Sequence, residues 1–377
     1  MTKLKQLTAK GQSIWFDDLR RGLLSTGELE RLVAEDSVTG VTTNPTILAK
    51  AMSESSDYDE QLQALSRAGV SVDEAYAELV TTDIQSACDV LHPVWSATDG
   101  ADGFVSVEVS PVVADDPVAT VAEARDWVKR IDNDNILVKV PATEAGAVAF
   151  EELTAEGVSI NVTLIFSLDR YRDIVERYLT GVERFVDAGG DPSRVHSVAS
   201  FFVSRVDTEV DSRLDELGSP AAVTVLRGKA GVANARAAYG VFEKVFASER
   251  WRSIERRGAT VQRPLWASTG VKDPAYPDTM YVDSLIAPNT VNTMPLQTLR
   301  AVADHGNPDA GFSAEDVAEA HSVLAALERI GISYDDVTAT IERQGLEKFS
   351  ASFEEVVELL NNKLQTGRQA KSAPRRG

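Results

Sequence analysis

At 377 residues with 43% hydrophobic content, the chain carries enough apolar material for a large core, as one barrel or as two smaller domains. Its 58 acidic and 38 basic side chains leave a net charge of −20, which excludes a nucleic-acid partner held by a general basic surface and means that any bound anion needs cations gathered locally. The single cysteine, Cys88, excludes an internal disulfide and fits a reducing cytoplasm. The first ten residues lack the apolar core of a signal peptide, and no stretch is apolar enough to span a bilayer, so neither a membrane nor secretion is expected. The histidines at 92, 196, 305 and 321 show no paired ligand spacing, so no metal and no cofactor is expected.

In chain order, strand-like runs fall at 13–16, 40–43, 104–109, 136–140, 158–162, 195–199, 264–267 and 280–285. Amphipathic helical stretches such as 118–131, 168–186 and 203–217 lie between most of them. Eight alternating units predict an α/β fold closed as a (β/α)8 TIM barrel with additional helices; an open doubly wound sheet would more often carry a glycine-rich first turn, and no G-x-G-x-x-G is present. The predicted organisation is a single barrel domain over 1–366. It carries helical insertions at about 71–91 and 220–256, and carboxy-terminal helices at 313–330 and 334–364, the first opened by a Ser313-x-x-Asp316 cap. Residues 367–377, basic and without apolar periodicity, read as a disordered tail.

The strand ends carry the chemistry, because the carboxyl ends of the strands frame the active site of such a barrel. The first unit ends at Asp17, the second runs into Thr42-Thr43-Asn44-Pro45, the third holds Glu108 and the fourth Lys139. The fifth supplies Asn161 and Thr163, which share a face; the sixth gives Ser200 with Arg205 soon after, and the seventh Ser268 with Lys272. Lys139 stands in the apolar run Ile136-Leu-Val-Lys-Val140, where an ammonium pays a desolvation cost and the neutral, nucleophilic amine becomes accessible. Read alone, the run favours a strand-end lysine that snorkels to solvent or pairs with a carboxylate, and Asn44-Pro45 alone favours a turn. Together the seven strand ends predict one polar pocket suited to a class I aldol mechanism: Lys139 attacks a ketone, Asp17 moves the hydroxyl proton, and Glu108 works through a water held by Thr163. Arg205, Ser268 and Lys272, the last two in Ala267-Ser-Thr-Gly-Val-Lys272, read as an anion pocket. Arg227-Gly-Lys-Ala-Gly231 lacks the spacing and the hydroxyl of a P-loop.

These segments resemble the transaldolase family, in particular its longer bacterial branch, from about residue 13 to about 295. The matching motifs, in order, are Ile14-Trp-Phe-Asp-Asp18, Gly40-Val-Thr-Thr-Asn-Pro-Thr46, Val105-Ser-Val-Glu-Val109, Leu137-Val-Lys-Val-Pro-Ala-Thr143, Ile160-Asn-Val-Thr-Leu-Ile-Phe-Ser167 and Ala199-Ser-Phe-Phe-Val-Ser-Arg-Val-Asp207. The resemblance implies a cytoplasmic, metal-independent transferase of the pentose phosphate pathway. Such an enzyme moves a dihydroxyacetone unit from sedoheptulose 7-phosphate to glyceraldehyde 3-phosphate, giving erythrose 4-phosphate and fructose 6-phosphate. It implies Lys139 as the Schiff-base lysine, Asp17 as the proton-transfer group, and Glu108 with Thr163 as holders of the catalytic water. Asn44, Asn161 and Ser200 would bind the dihydroxyacetone hydroxyls, Phe202 would pack beside the site, and Arg205 would bind phosphate. At the seventh strand the shorter transaldolases place an arginine where this chain runs from Ser268 to Lys272, and Lys272 is read as its substitute. The alternatives are cleavage of the fructose 6-phosphate aldolase type, against which Glu108 speaks, and a non-catalytic sugar-phosphate-binding barrel. The sequence leaves monomer and homodimer both open.

Overall fold

Eight parallel strands carry the architecture: β1 (Gln12–Phe16), β2 (Val38–Val41), β3 (Phe104–Glu108), β4 (Ile136–Pro141), β5 (Ile160–Ile165), β6 (Ser197–Phe202), β7 (Arg263–Ala267) and β8 (Thr290–Met294). Each pairs with the next, and β1 also pairs with β8 from Gln12↔Thr290 to Phe16↔Met294, so the sheet closes as the expected (β/α)8 barrel. The computed structural model describes residues 2–218 and 224–372, with side chains described as far as residue 366.

Alternation along the strands sorts the side chains into two cores. Trp15, Phe104, Leu137, Val198, Leu265, Ala267 and Val291 fill the barrel interior, whereas Ile136, Val138 and Val140 face the surrounding helices with Ile160 and Val162. Because Leu137 points inward, Lys139 two residues on must do so too. The interior has a tight point at Gly40, where a Cβ would stand 2.5 Å from the Trp15 indole; only glycine lets that ring lie across the barrel.

Three expected helices match closely, at Pro117–Ile131, Leu168–Asp187 and Ser204–Leu217, and the Ala314–Arg329 helix opens on the expected Ser313–Asp316 capping box. The eighth strand does not. Residues 280–285, expected as a strand, form the short helix Met280–Asp283 and the turn after it, and β8 lies at Thr290–Met294. Tyr281 and Val282 have strand-like chemistry but are spent on side-chain contacts, Tyr281 Oη donating to Asp207 Oδ2 at 2.8 Å. The true strand was hidden because its outward residues Thr290 and Asn292 are polar; both are fully buried, with Thr290 Oγ1 donating to Ala287 O at 2.6 Å.

The helix expected near 71–91 spans Val72–Ala97 and packs on both β2 and β3, as the crossover between them. Within 220–256 lie the helices Ala230–Phe246 and Glu249–Glu255; residues 219–223 are outside the described ones. The carboxy-terminal helix runs Tyr334–Ser372, so its backbone continues through 367–372 of the expected tail, and 373–377 lie outside the described residues. This helix docks on a second small core, in which Val356, Leu360 and Leu364 meet Leu48, Met52, Tyr58, Leu62 and Leu79. At roughly 1.5–3 kcal/mol per fully buried aliphatic side chain, these anchors hold it firmly over the barrel.

Candidate active site

Lys139, in the middle of β4, is 8% exposed and sits beside Glu108, its registered partner on β3. Its Nζ lies 2.5 Å from Glu108 Oε1 and donates to the Thr43 carbonyl at 2.9 Å. The amine therefore points into the barrel, and its neighbours are one carboxylate and one carbonyl. Burial raises the Glu108 carboxyl above the usual range; the Lys139 charge opposes this and the nearby Asp17 adds to it. Glu108 Oε2 and Thr163 Oγ1 are both buried with no hydrogen-bond partner among the described residues.

Asp17 follows β1 directly and accepts a hydrogen bond from Thr42 Oγ1 at 2.8 Å, while Thr42 Oγ1 and Thr293 Oγ1 lie 2.7 Å apart. The carboxylate is thus oriented from β2, and β2 from β8. Asn44 caps the Pro45–Glu54 helix, its Oδ1 accepting from Ile47 N at 3.2 Å. The turn reading of Asn44-Pro45 holds for that oxygen, which leaves the amide Nδ2 as the group Asn44 can offer a ligand.

Asp17, Asn44, Glu108, Lys139, Thr163, Ser200, Phe202, Arg205, Ser268 and Lys272 all line one cavity of about 360 Å³ at the carboxyl ends of the strands. Asn161 does not. It is fully buried beneath the cavity floor, its Nδ2 donating to Ser106 Oγ at 3.0 Å and its Oδ1 accepting from Ser200 Oγ at 2.7 Å. Both ends of the amide are used inside the barrel, so Asn161 positions Ser200 and Ser106. On β5, Leu164 adopts φ 60° and the pairing with β6 shifts between Val162 and Ile165. That bulge is why adjacent residues, Thr163 and Leu164, both reach the cavity.

The three residues expected to hold an anion reach the cavity from different places. Arg205 enters from the first turn of the Ser204–Leu217 helix, stacked 5.2 Å from the Phe202 ring centroid. Burial lowers its pKa. Every other arginine that is not fully solvent-facing has a carboxylate within 4.0 Å; among the described residues Arg205 alone is half-buried without one. Ser268, with φ 56°, lies 2.9 Å from Ser204 Oγ, and Lys272 follows it at the rim. The glycines of the Arg227–Gly231 segment face no anion site, since Gly228 N and Gly231 N donate to Asp211 and Asp207.

A family model described as transaldolase/fructose-6-phosphate aldolase matches residues 14–360. The chain belongs to this family. It is 50% identical over 362 residues to Transaldolase 2 of Streptomyces avermitilis, covering 96% of this chain and 97% of that one. It is 52% identical over 363 residues to the transaldolase of Thermobifida fusca, with 96% and 98% covered, and 50% identical over 356 residues to that of Mycobacterium marinum, with 94% and 95% covered. No helix among the described residues is long and apolar enough to cross a membrane.

Sequence reasoning missed the far wall of the cavity. Thr46 and Lys50 come from the Pro45–Glu54 helix, and Gly345, Lys348, Phe349 and Ser352 from the carboxy-terminal helix. Spacings of three, four and seven put those four on one helical face, and the only signal was that this face is not continuously apolar.

Proposed function

We propose that the chain is a transaldolase of the pentose phosphate pathway, moving a dihydroxyacetone unit from sedoheptulose 7-phosphate to glyceraldehyde 3-phosphate through a Schiff base on Lys139. The observation that carries the reading is a buried lysine amine inside the barrel, 2.5 Å from Glu108, in the cavity that also holds Asp17 and Thr163.

Glu108 is the base nearest the ammonium, and its burial favours taking that proton. The freed amine adds to the ketose C2 carbonyl, and the carbinolamine loses water to give an iminium. Glu108 Oε2 and Thr163 Oγ1, each buried without a partner, are the groups suited to hold that water and to return it for hydrolysis. Asp17, fixed by Thr42, takes the proton of the C4 hydroxyl as the C3–C4 bond breaks and the aldehyde leaves. The electron pair stays as an enamine on Lys139, which attacks the acceptor aldehyde, and hydrolysis releases the new ketose. Asn44 and Ser200 face the three-carbon unit, Asn161 steadies Ser200 from below, Phe202 forms a side wall, and Arg205, Ser268 and Lys272 take the phosphate. No step calls for a metal, and a cytoplasmic setting fits the lone, buried Cys88.

The test is transfer itself, measured with EDTA-treated protein. Formation of erythrose 4-phosphate and fructose 6-phosphate in equal amounts supports the reading. Free dihydroxyacetone as main product would point instead to aldolase-type cleavage, and saturable binding without turnover to a non-catalytic barrel.

A further inference from the structure

We propose that the carboxy-terminal helix completes the phosphate end of the cavity, and that Lys348 makes the enzyme select phosphorylated over unphosphorylated aldehyde acceptors. The inference rests on the transaldolase reading and adds to it a residue outside the eight barrel units.

The helix lies directly against the phosphate pocket. It contacts β5, the Ser204–Leu217 helix and the Pro45–Glu54 helix. Its register over the cavity is pinned by Ser352 Oγ, 2.7 Å from Thr46 Oγ1. At Gly345 an added Cβ would stand 3.3 Å from an Arg205 guanidinium nitrogen, 3.4 Å from Leu164 and 3.5 Å from Phe166. A glycine in mid-helix costs about 1 kcal/mol relative to alanine, and here it lets the helix backbone press against the arginine that has no counter-ion.

One turn further on, Lys348 projects from the same face and lines the same cavity. It has no carboxylate within 4.0 Å, and the adjacent Glu347 is engaged by Arg343 at 3.8 Å. Lys272 lines the cavity from the loop after β7, likewise without a carboxylate partner among the described residues. Arg205, Lys272 and Lys348, with Lys50 from the Pro45–Glu54 helix, therefore line one cavity without a carboxylate within 4.0 Å among the described residues, in a chain whose net charge is −20. A phosphate monoester carries close to two negative charges at neutral pH. Arg205 offers it a planar fork of donors, while Lys272 and Lys348 offer point charges from two sides. An unphosphorylated aldehyde gains nothing from them, so removing Lys348 should cost one substrate class and spare the other.

The experiment compares erythrose 4-phosphate with erythrose as acceptors, fructose 6-phosphate being the donor. In a reaction that passes through a covalent intermediate, the acceptor kcat/KM does not depend on the donor half-reaction, so the donor's own phosphate does not confound the comparison. Lys348→Gln is expected to lower kcat/KM for erythrose 4-phosphate about tenfold, mainly through KM, and to leave erythrose within twofold. Lys348→Arg is expected to restore most of the loss, and added salt to affect Lys348→Gln less than wild type. Equal losses for both acceptors, or none for either, would overturn the proposal. Absence of transfer in the wild type would instead strike the transaldolase reading.

Discussion

At the amino-terminal end of the barrel, Asp102 accepts from Trp15 Nε1 at 2.8 Å, Thr39 Oγ1 at 2.9 Å, Gly103 N at 3.2 Å and the Ser13 hydroxyl. Arg263 beside it donates to Ser13 Oγ and to the carbonyls of Thr290 and Ala101. At the carboxyl end, Glu108 Oε2 and Thr163 Oγ1 have no partner, and Arg205 has no carboxylate. Both ends enclose cavities of about 360 Å³, and both hold buried acids and an arginine. The difference lies in how fully the acid and the arginine are committed. At one end both are bonded to the barrel itself; at the other the acid keeps an unpartnered oxygen and the arginine has no carboxylate, which leaves capacity for a ligand.

Substitutions at the two ends should therefore separate activity from stability. The largest effect is expected at the nucleophile: Lys139→Met should lower transfer by roughly 10⁴-fold or more while leaving thermal stability near wild type, as read by steady-state assay and calorimetry. Next, Glu108→Gln should lower kcat by about 10²–10³-fold, with the loss in imine formation and hydrolysis. The readout is slower exchange of ¹⁸O from the ketose carbonyl into water. At the opposite end the sign of the comparison reverses. Asp102→Ala strands Trp15 Nε1 and Arg263 and should cost about 3–5 kcal/mol in urea unfolding, yet the folded variant should keep its kcat/KM within a few fold.

The smallest effect concerns pH. Asp207, which joins Gly231 N and Tyr281 Oη behind the phosphate pocket, is pushed up to about 6 by burial. The folded state then binds more protons than the unfolded state between the ordinary carboxylate range and pH 6. Its contribution to stability should fall as pH rises through that window and be flat above it, by at most about 3 kcal/mol. Urea midpoints of wild type and Asp207→Asn between pH 4 and 7 test this; a difference that grows in wild type's favour with rising pH would refute it.

Most of the cavity wall formed by the strands was legible because strand alternation is local. Leu137 inward fixes Lys139 inward, and the polar residues at successive strand ends follow the same rule. Three things were not. The eighth strand escaped because Thr290 and Asn292 are buried polar residues that donate to the Ala287 and Tyr281 carbonyls, partners that no sequence pattern announces, while Tyr281 and Val282 imitate a strand. Asn161 lies on the expected inward face, but its amide is engaged by Ser106 and Ser200 from β3 and β6, partners that no local pattern announces. The helix carrying Gly345 and Lys348 reaches the site only through tertiary docking at Val356, Leu360 and Leu364, which a local pattern does not contain.

The central claim is that one amine at the uncommitted end bonds covalently to a ketose. Borohydride reduction in the presence of fructose 6-phosphate, followed by peptide mass mapping, tests it most directly. A reduced three-carbon adduct on Lys139, absent from Lys139→Ala, is the expected result; an adduct on any other lysine, or none from an enzyme that turns over, would contradict it.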